Sequence, residues 1–206
     1  MLRSSFTKNL TEAGCDEVGR GCLAGPVVAA AVIFPKKYRH KLLNDSKQLS
    51  REEREVLRAD IERDALAWSI AEVDHEEIDR INILNASFKA MHLALEKLEM
   101  EPELILVDGN RFKPFRDIRH ECIIKGDGKY LSIAAASILA KTHRDRFMSN
   151  LAQQFTGYGW DTNVGYATLE HREGIRQLGI TPYHRRSFTL LPAQLELFQD
   201  DSSIQL

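Results

Sequence analysis

The sequence predicts a single α/β domain with helices covering a sheet. Three observations point to it. Short β-rich runs alternate with long helical patterns; 206 residues at 43% hydrophobic content suffice for one well-buried core and are too few for two ordinary domains; and no repeat of fixed period or low-complexity linker interrupts the chain before its last residues. The domain is expected to fill residues 1–190, with a tail over 191–206 that frays around Asp200-Asp201-Ser202-Ser203.

The first β-rich run ends near Cys15-Asp16-Glu17. After the turn Gly19-Arg20-Gly21 comes Val27-Val28-Ala29-Ala30-Ala31-Val32-Ile33-Phe34, an apolar run that reads as a buried strand and pairs with the first as a hairpin. Ser50-Arg51-Glu52-Glu53 is a capping-box pattern that opens a helix through about Arg63. A strand is expected around Leu66 to Ala71. From Asp74 onward one helical region places Ile81, Leu84, Phe88, Met91, Leu95 and Leu98 on a core face. Leu104 to Val107 is a buried strand delivering Asp108-Gly109, and Cys122-Ile123-Ile124 delivers Lys125-Gly126-Asp127. A long helix over about Leu131 to Gln154 begins with nearly all small or apolar residues and then turns basic at Lys141, Arg144 and Arg146. A shorter helix is expected over Thr168 to Gln177, making the C-terminal part mostly helical.

Composition narrows the function. The longest apolar run, Pro26 to Phe34, is too short to span a bilayer, so no membrane partner is expected. The N-terminus lacks the apolar core of a secretory signal, and Cys15, Cys22 and Cys122 show no paired spacing, which favours a reducing, cytoplasmic setting. A monomer is assumed. The formal charge of -2 argues against a nucleic-acid partner, yet the charge is polarised: residues 111–190 carry 13 Lys and Arg against 7 Asp and Glu. Such a basic half suits a phosphate backbone, and equally a solvated face of mixed charges.

Asp16, Glu17, Asp108 and Asp127 each lie at or just beyond the end of an apolar strand, the edge at which ligands bind in open α/β sheets. Four crowded carboxylates repel, and a cation makes them tolerable. All-oxygen ligands favour Mg²⁺ or Mn²⁺ over zinc. Two such ions roughly 4 Å apart serve in-line phosphodiester hydrolysis. Each aspartate alone reads equally well as a turn residue. Gly19-Arg20-Gly21-Cys22-Leu23-Ala24 also satisfies the dinucleotide-binding pattern, so an oxidoreductase is an alternative. Against it, the segment runs through Gly25-Pro26 into a strand instead of opening a helix that faces a pyrophosphate. Gly-Arg-Gly suits a loop whose backbone approaches a nucleic acid closely, with Arg20 available to a phosphate or ribose.

Asp16 through Ala31, beginning Asp16-Glu17-Val18-Gly19-Arg20-Gly21, resembles the opening signature of the type 2 bacterial ribonucleases H. Asn44-Asp45-Ser46-Lys47-Gln48-Leu49-Ser50, Val107-Asp108-Gly109-Asn110, Lys125-Gly126-Asp127 and Ala135 to Lys141 follow in the family's order. So do Gly165-Tyr166-Ala167-Thr168 and His184-Arg185-Arg186-Ser187-Phe188, and the match spans about residues 12 to 188. The resemblance implies an RNase H-like fold, a mixed central sheet flanked by helices with a helical C-terminal extension. It further implies a catalytic metal site of Asp16, Glu17, Asp108 and Asp127 holding two Mg²⁺ or Mn²⁺ ions with substrate bound. Gly19, Arg20 and Gly21 are implied at 2′-hydroxyls. Tyr166 is implied at the RNA–DNA junction, allowing incision 5′ to a single embedded ribonucleotide and leaving 3′-hydroxyl and 5′-phosphate ends. Lys47, Ser137, Lys141, Arg185 and Arg186 are candidate phosphate contacts. The substrates implied are RNA–DNA hybrids and DNA containing ribonucleotides.

The chain departs from the family where a lysine usually precedes the Gly-Tyr pair: here stand Asn163-Val164, with Asn163 a partial substitute for the lost phosphate contact. In the tail, Gln194-Leu195-Glu196-Leu197-Phe198 is similar to a sliding-clamp docking peptide, and it also reads as an apolar face packed on the domain. Two further alternatives are another nuclease of the superfold, such as a type 3 ribonuclease H or a junction-cutting enzyme, and a non-catalytic hybrid-binding module.

Overall fold

The computed structural model describes residues 2–43 and 49–192. Strand β1 (Glu12–Val18) is flanked on one side by β2 (Val27–Ile33) and on the other by β4 (Leu104–Asp108). β3 (Ala67–Val73) and β5 (Arg119–Ile123) form the edges, in the order β3-β2-β1-β4-β5. The first three strands pair antiparallel, and β1, β4 and β5 run parallel. This is the mixed sheet expected from the sequence.

β2 lacks polar alternation because both its faces are covered. Ala29, Ala31 and Ile33 meet Ala90, Met91 and Ala94 of helix α3 (Ile83–Glu96). Val28, Ala30 and Val32 meet Leu57 and Ile61 of α1 (Arg51–Asp64), together with Ala135 and Leu139 of α4 (Leu131–Gln154). Ser50 caps α1 as expected: its hydroxyl accepts from the Glu53 amide at 3.1 Å, and the Glu53 carboxylate accepts from the Ser50 amide at 2.7 Å. The single helical region expected after Asp74 is two helices, α2 (His75–Ile81) and α3. Asn82 breaks it, with φ +66° and its side chain accepting from the Asn85 amide at 3.1 Å.

The first turn of α4 lies directly on β1 at Gly14, where a Cβ would stand 2.2 Å from the Ser132 carbonyl carbon. Only glycine permits this approach, which fixes α4 over the carboxyl end of β1. Beyond α4 the helix expected over Thr168 to Gln177 is present one residue further on, and a short helix precedes it. The chain carries α5 (Trp160–Asn163) and α6 (Leu169–Leu178), with Gly157 and Gly159 turning into α5, Gly165 between the two helices and Gly179 ending α6, all at positive φ. A separate apolar cluster of Leu23, Met148, Leu151, Tyr158, Trp160 and Ile175 joins this extension to α4. Among the described residues no helix is long and apolar enough to cross a membrane.

Candidate active site

The parallel pairing of β1 with β4 runs to Cys15 opposite Val107, so the next residues, Asp16 and Asp108, emerge side by side at one sheet edge. Asp16 is only 6% exposed; its Oδ1 accepts the Glu17 amide at 2.7 Å, and the Ser137 hydroxyl of α4 donates to the same carboxylate. Asp108 Oδ1 accepts the Gly126 amide at 2.6 Å. That bond draws in the 3₁₀ turn Gly126–Gly128, which carries the buried Asp127 to the end of β4. Two clefts, of about 460 and 380 Å³, meet along this edge and share Glu17, Arg20 and Asp108. Asp127 is not among the residues lining either cleft.

Burial, then the charges of Glu17 and Asp108, push the Asp16 carboxyl well above the usual carboxylate range. Burial also raises Glu17, an effect that Arg20, 3.0 Å away, partly offsets and Asp108 reinforces. A cation bound among these carboxylates would offset both the burial and the mutual repulsion. The donors are hard oxygens, which suit Mg²⁺ or Mn²⁺. Among the described residues no three His, Cys, Asp or Glu side chains are already gathered as a cage. Mg²⁺ ordinarily takes one or two carboxylates and completes its shell with water and substrate phosphate oxygens, so the donor set fits it.

The loop from Gly19 to Gly25 runs over buried cations. Gly19 has φ +93°, and a Cβ there would lie 2.3 Å from Arg144 Nε. Arg144, fully buried on α4, donates to the carbonyls of Pro26 at 3.0 Å, Ala24 at 3.0 Å and Val164 at 2.7 Å. Arg185, expected at a phosphate, is also fully buried; it donates to the carbonyls of Gly25 and Arg20, each at 3.0 Å. It supports the loop from inside, where it does not reach the surface phosphate expected from the sequence. Burial lowers its pKa to about 10. Gly21 differs from Gly19: nothing lies within 4 Å of where its Cβ would point, so no contact inside the protein calls for glycine there.

Tyr166 is 40% exposed and lines the larger cleft, with its phenol hydrogen-bonded to the buried Cys22 thiol. Lys141 also lines the cleft, yet its ammonium donates to Asp145 at 2.6 Å, and Arg54 faces the same carboxylate at 3.7 Å. Arg186 projects from a loop whose amide donates to Asp79 at 2.8 Å. Lys47 and the peptide Gln194 to Phe198 lie outside the described residues. Asn163 is not available as a phosphate contact. It is buried, donating to the Tyr158 carbonyl at 2.7 Å and accepting from the Gly165 amide at 2.8 Å. The basic half is likewise less of a footprint than its count implied, since Arg144 and Arg185 are interior and Arg146, Arg116, Arg119 and Arg176 pair with carboxylates.

Sequence reasoning missed Arg54, the inward direction of Arg144, and His171 and His184. For Arg144 a signal existed: Ser137, Ala140, Arg144, Met148 and Leu151 recur at helical spacing on one buried stripe of α4.

The profile of the Ribonuclease HII family matches residues 13–191. The ribonuclease HII of Parabacteroides distasonis is 62% identical over 197 residues, covering 96% of this chain and 99% of that protein. The ribonuclease HII of Cytophaga hutchinsonii is 59% identical over 198 residues, 96% of this chain and 98% of the relative. Among solved structures, a complex of PCNA with RNase HII from Archaeoglobus fulgidus superposes with a TM-score of 0.75 at 28% identity, covering 92% of this chain and 100% of that one.

Proposed function

The chain belongs to the ribonuclease HII family and is an endoribonuclease, and from that premise we propose that the acidic sheet edge is its catalytic centre. Asp16, Glu17, Asp108 and Asp127 hold two divalent ions, Mg²⁺ or Mn²⁺. Bound there with substrate, the ions supply activation of the attacking water and stabilisation of the leaving 3′-oxygen. The residues do the rest. Ser137 keeps Asp16 oriented, and the Gly126 amide does the same for Asp108. The loop Gly19-Arg20-Gly21 lies against the scissile ribonucleotide, where the open side of Gly21 lets a 2′-hydroxyl approach the backbone. Arg20, held by Glu17 in the free protein, is within reach of the phosphate. Tyr166 packs on the sugar at the RNA–DNA junction. Lys141 and Arg186 contact phosphates of the duplex, with Lys47 a further contact.

Cleavage then occurs in RNA–DNA hybrids and 5′ to a single ribonucleotide in duplex DNA, leaving 3′-hydroxyl and 5′-phosphate ends. The observation that carries this reading is the desolvation of Asp16 and Glu17 next to the charge of Asp108, beside a glycine loop open to a partner. A labelled duplex with one ribonucleotide, treated with Mg²⁺, Mn²⁺ or chelator, tests it. Metal-dependent nicking 5′ to the ribonucleotide supports the reading; intact binding without nicking by the unmodified protein points instead to a binding module.

We also propose that Gln194 to Phe198 docks on a sliding clamp, in keeping with the complex of PCNA with the RNase HII of Archaeoglobus fulgidus. Equal clamp capture by the full chain and by a chain ending at Pro192 would reject it.

A further inference from the structure

Behind Tyr166 lies a pair of histidines that the catalytic reading does not use. His171 of α6 is 0% exposed and His184 is 1% exposed, and they are enclosed by Tyr158 and Trp160. Their hydrogen bonds determine where each proton sits. The Thr181 amide, which can only donate, stands 2.9 Å from His184 Nδ1, so that nitrogen is an acceptor and the proton is on Nε2. The Trp160 indole, also donor only, stands 2.9 Å from His171 Nε2, so that nitrogen is an acceptor and the proton is on Nδ1. His184 Nε2–H shares the single lone pair of that His171 nitrogen with the indole, at the longer distance of 3.1 Å, and His171 Nδ1–H points at the Tyr166 carbonyl, 2.9 Å away. Every ring nitrogen is engaged, with both rings neutral. Burial lowers both pKa values, in agreement with that state.

The relay ends on the backbone of Tyr166, whose amide donates to the Asn163 carbonyl at 2.9 Å. At the other end, His184 forms an antiparallel bridge with Ala24, and the Arg185 amide donates to the Leu23 carbonyl at 2.8 Å. The two loops already meet directly, the Leu23 amide donating to the Gly165 carbonyl at 2.8 Å beside an antiparallel bridge between Cys22 and Tyr166, and the two imidazoles brace this junction from behind. We infer that His171 and His184 are positioning residues for ribonucleotide recognition: their fixed tautomers set the Tyr166 backbone relative to the glycine loop, so that the phenol meets the junction sugar. This rests on the reading of Tyr166 proposed above. A purely structural pair would stabilise the extension and affect all substrates alike.

Two measurements on the full chain decide the matter. ¹⁵N-imidazole NMR of the unmodified protein at neutral pH should show His171 protonated on Nδ1 and His184 on Nε2; the opposite tautomer at either ring, or a charged ring, overturns the relay. In kinetics, kcat/KM is compared for a single-ribonucleotide duplex and a long hybrid. His171→Leu should depress the first by about tenfold more than the second. His171→Asn, whose amide can still donate to the Tyr166 carbonyl, should restore the ratio to within about threefold of the unmodified protein. Equal loss on both substrates, or no rescue by asparagine, overturns the positioning role. Tyr166→Ala separates the two layers. If it too acts equally on both substrates, the junction reading of Tyr166 fails and the positioning role fails with it, while the tautomers still decide the relay.

Discussion

At the sheet edge Asp16 and Glu17 are acids crowded into a desolvated place beside Asp108, whose charge raises the proton affinity of both. Behind the glycine loop Arg144, Arg185, His171 and His184 are at least as deeply buried, yet they bond to fixed backbone carbonyls and amides or to one another. Both regions withdraw ionisable groups from water, which is costly wherever the charge goes uncompensated. They differ in satisfaction. The basic region meets carbonyls and amides inside the protein, Arg185 Nη2 alone among its guanidinium nitrogens lacking a partner, whereas the acidic region gathers like charges that a bound cation would offset. Burial alone does not mark a functional site; burial with crowded like charges does.

Breaking the acidic region should give the largest effect on activity and almost none on the fold. Asp108→Asn keeps an oxygen to accept the Gly126 amide but removes a ligand charge. Several kcal/mol of transition-state stabilisation are lost with it, so cleavage should fall on the order of a thousandfold or more. The metal-free melting temperature should hold or rise, because a repulsion has gone. A large drop in melting temperature would mean that Asp108 is a structural residue. Breaking the basic region should do the reverse. Arg185→Leu strands the carbonyls of Gly25 and Arg20 in the interior, a cost of about 3 kcal/mol. Thermal unfolding should register it as a fall of roughly 10 °C. Arg185→Lys should not rescue it, since a single ammonium cannot reproduce the planar fork.

The contrast also explains what the sequence made legible. The acidic site was readable because strand ends point at one edge: an apolar run followed by Asp is visible in Val107-Asp108 and, less directly, in Cys15-Asp16. The capping box at Ser50 and the doubly buried β2 were readable for the same local reason. The basic region was not. Nothing next to Arg185 in sequence says that its guanidinium turns inward to carbonyls contributed by residues 20 and 25, a contact made across the fold. The break at Asn82 was hidden because the apolar spacing continues across it, while one left-handed residue shifts the helix axis. The short helix α5 was hidden for a related reason: four residues, Trp160–Asn163, are too few to show a helical period.

Ligation sharpens the comparison next. Titrating Mg²⁺ or Mn²⁺ while following melting should stabilise the protein by about 2.7 kcal/mol at a hundred times Kd. The response should vanish in Asp108→Asn and persist in Arg185→Leu. Equal responses in all three proteins would place the ion elsewhere.

The smallest effect is the one in which the two regions respond to pH with opposite signs. In metal-free protein, the raised pKa values of Asp16 and Glu17 mean that the folded state holds protons the unfolded chain has released. Their contribution is fully present below the ordinary carboxylate pKa and is lost as pH rises through the folded values. His184 runs the other way: its pKa is lowered to about 4, so its contribution is present above the ordinary histidine value and is lost as pH falls toward 4. Melting curves with chelator should therefore flatten on the alkaline side in Asp16→Asn and on the acid side in His184→Gln. Adding Mg²⁺ should remove the carboxylate slope and leave the histidine slope unchanged, because only one of the two regions is waiting for a cation. A histidine slope that moved with metal would mean that the two regions are coupled through the glycine loop that lies between them.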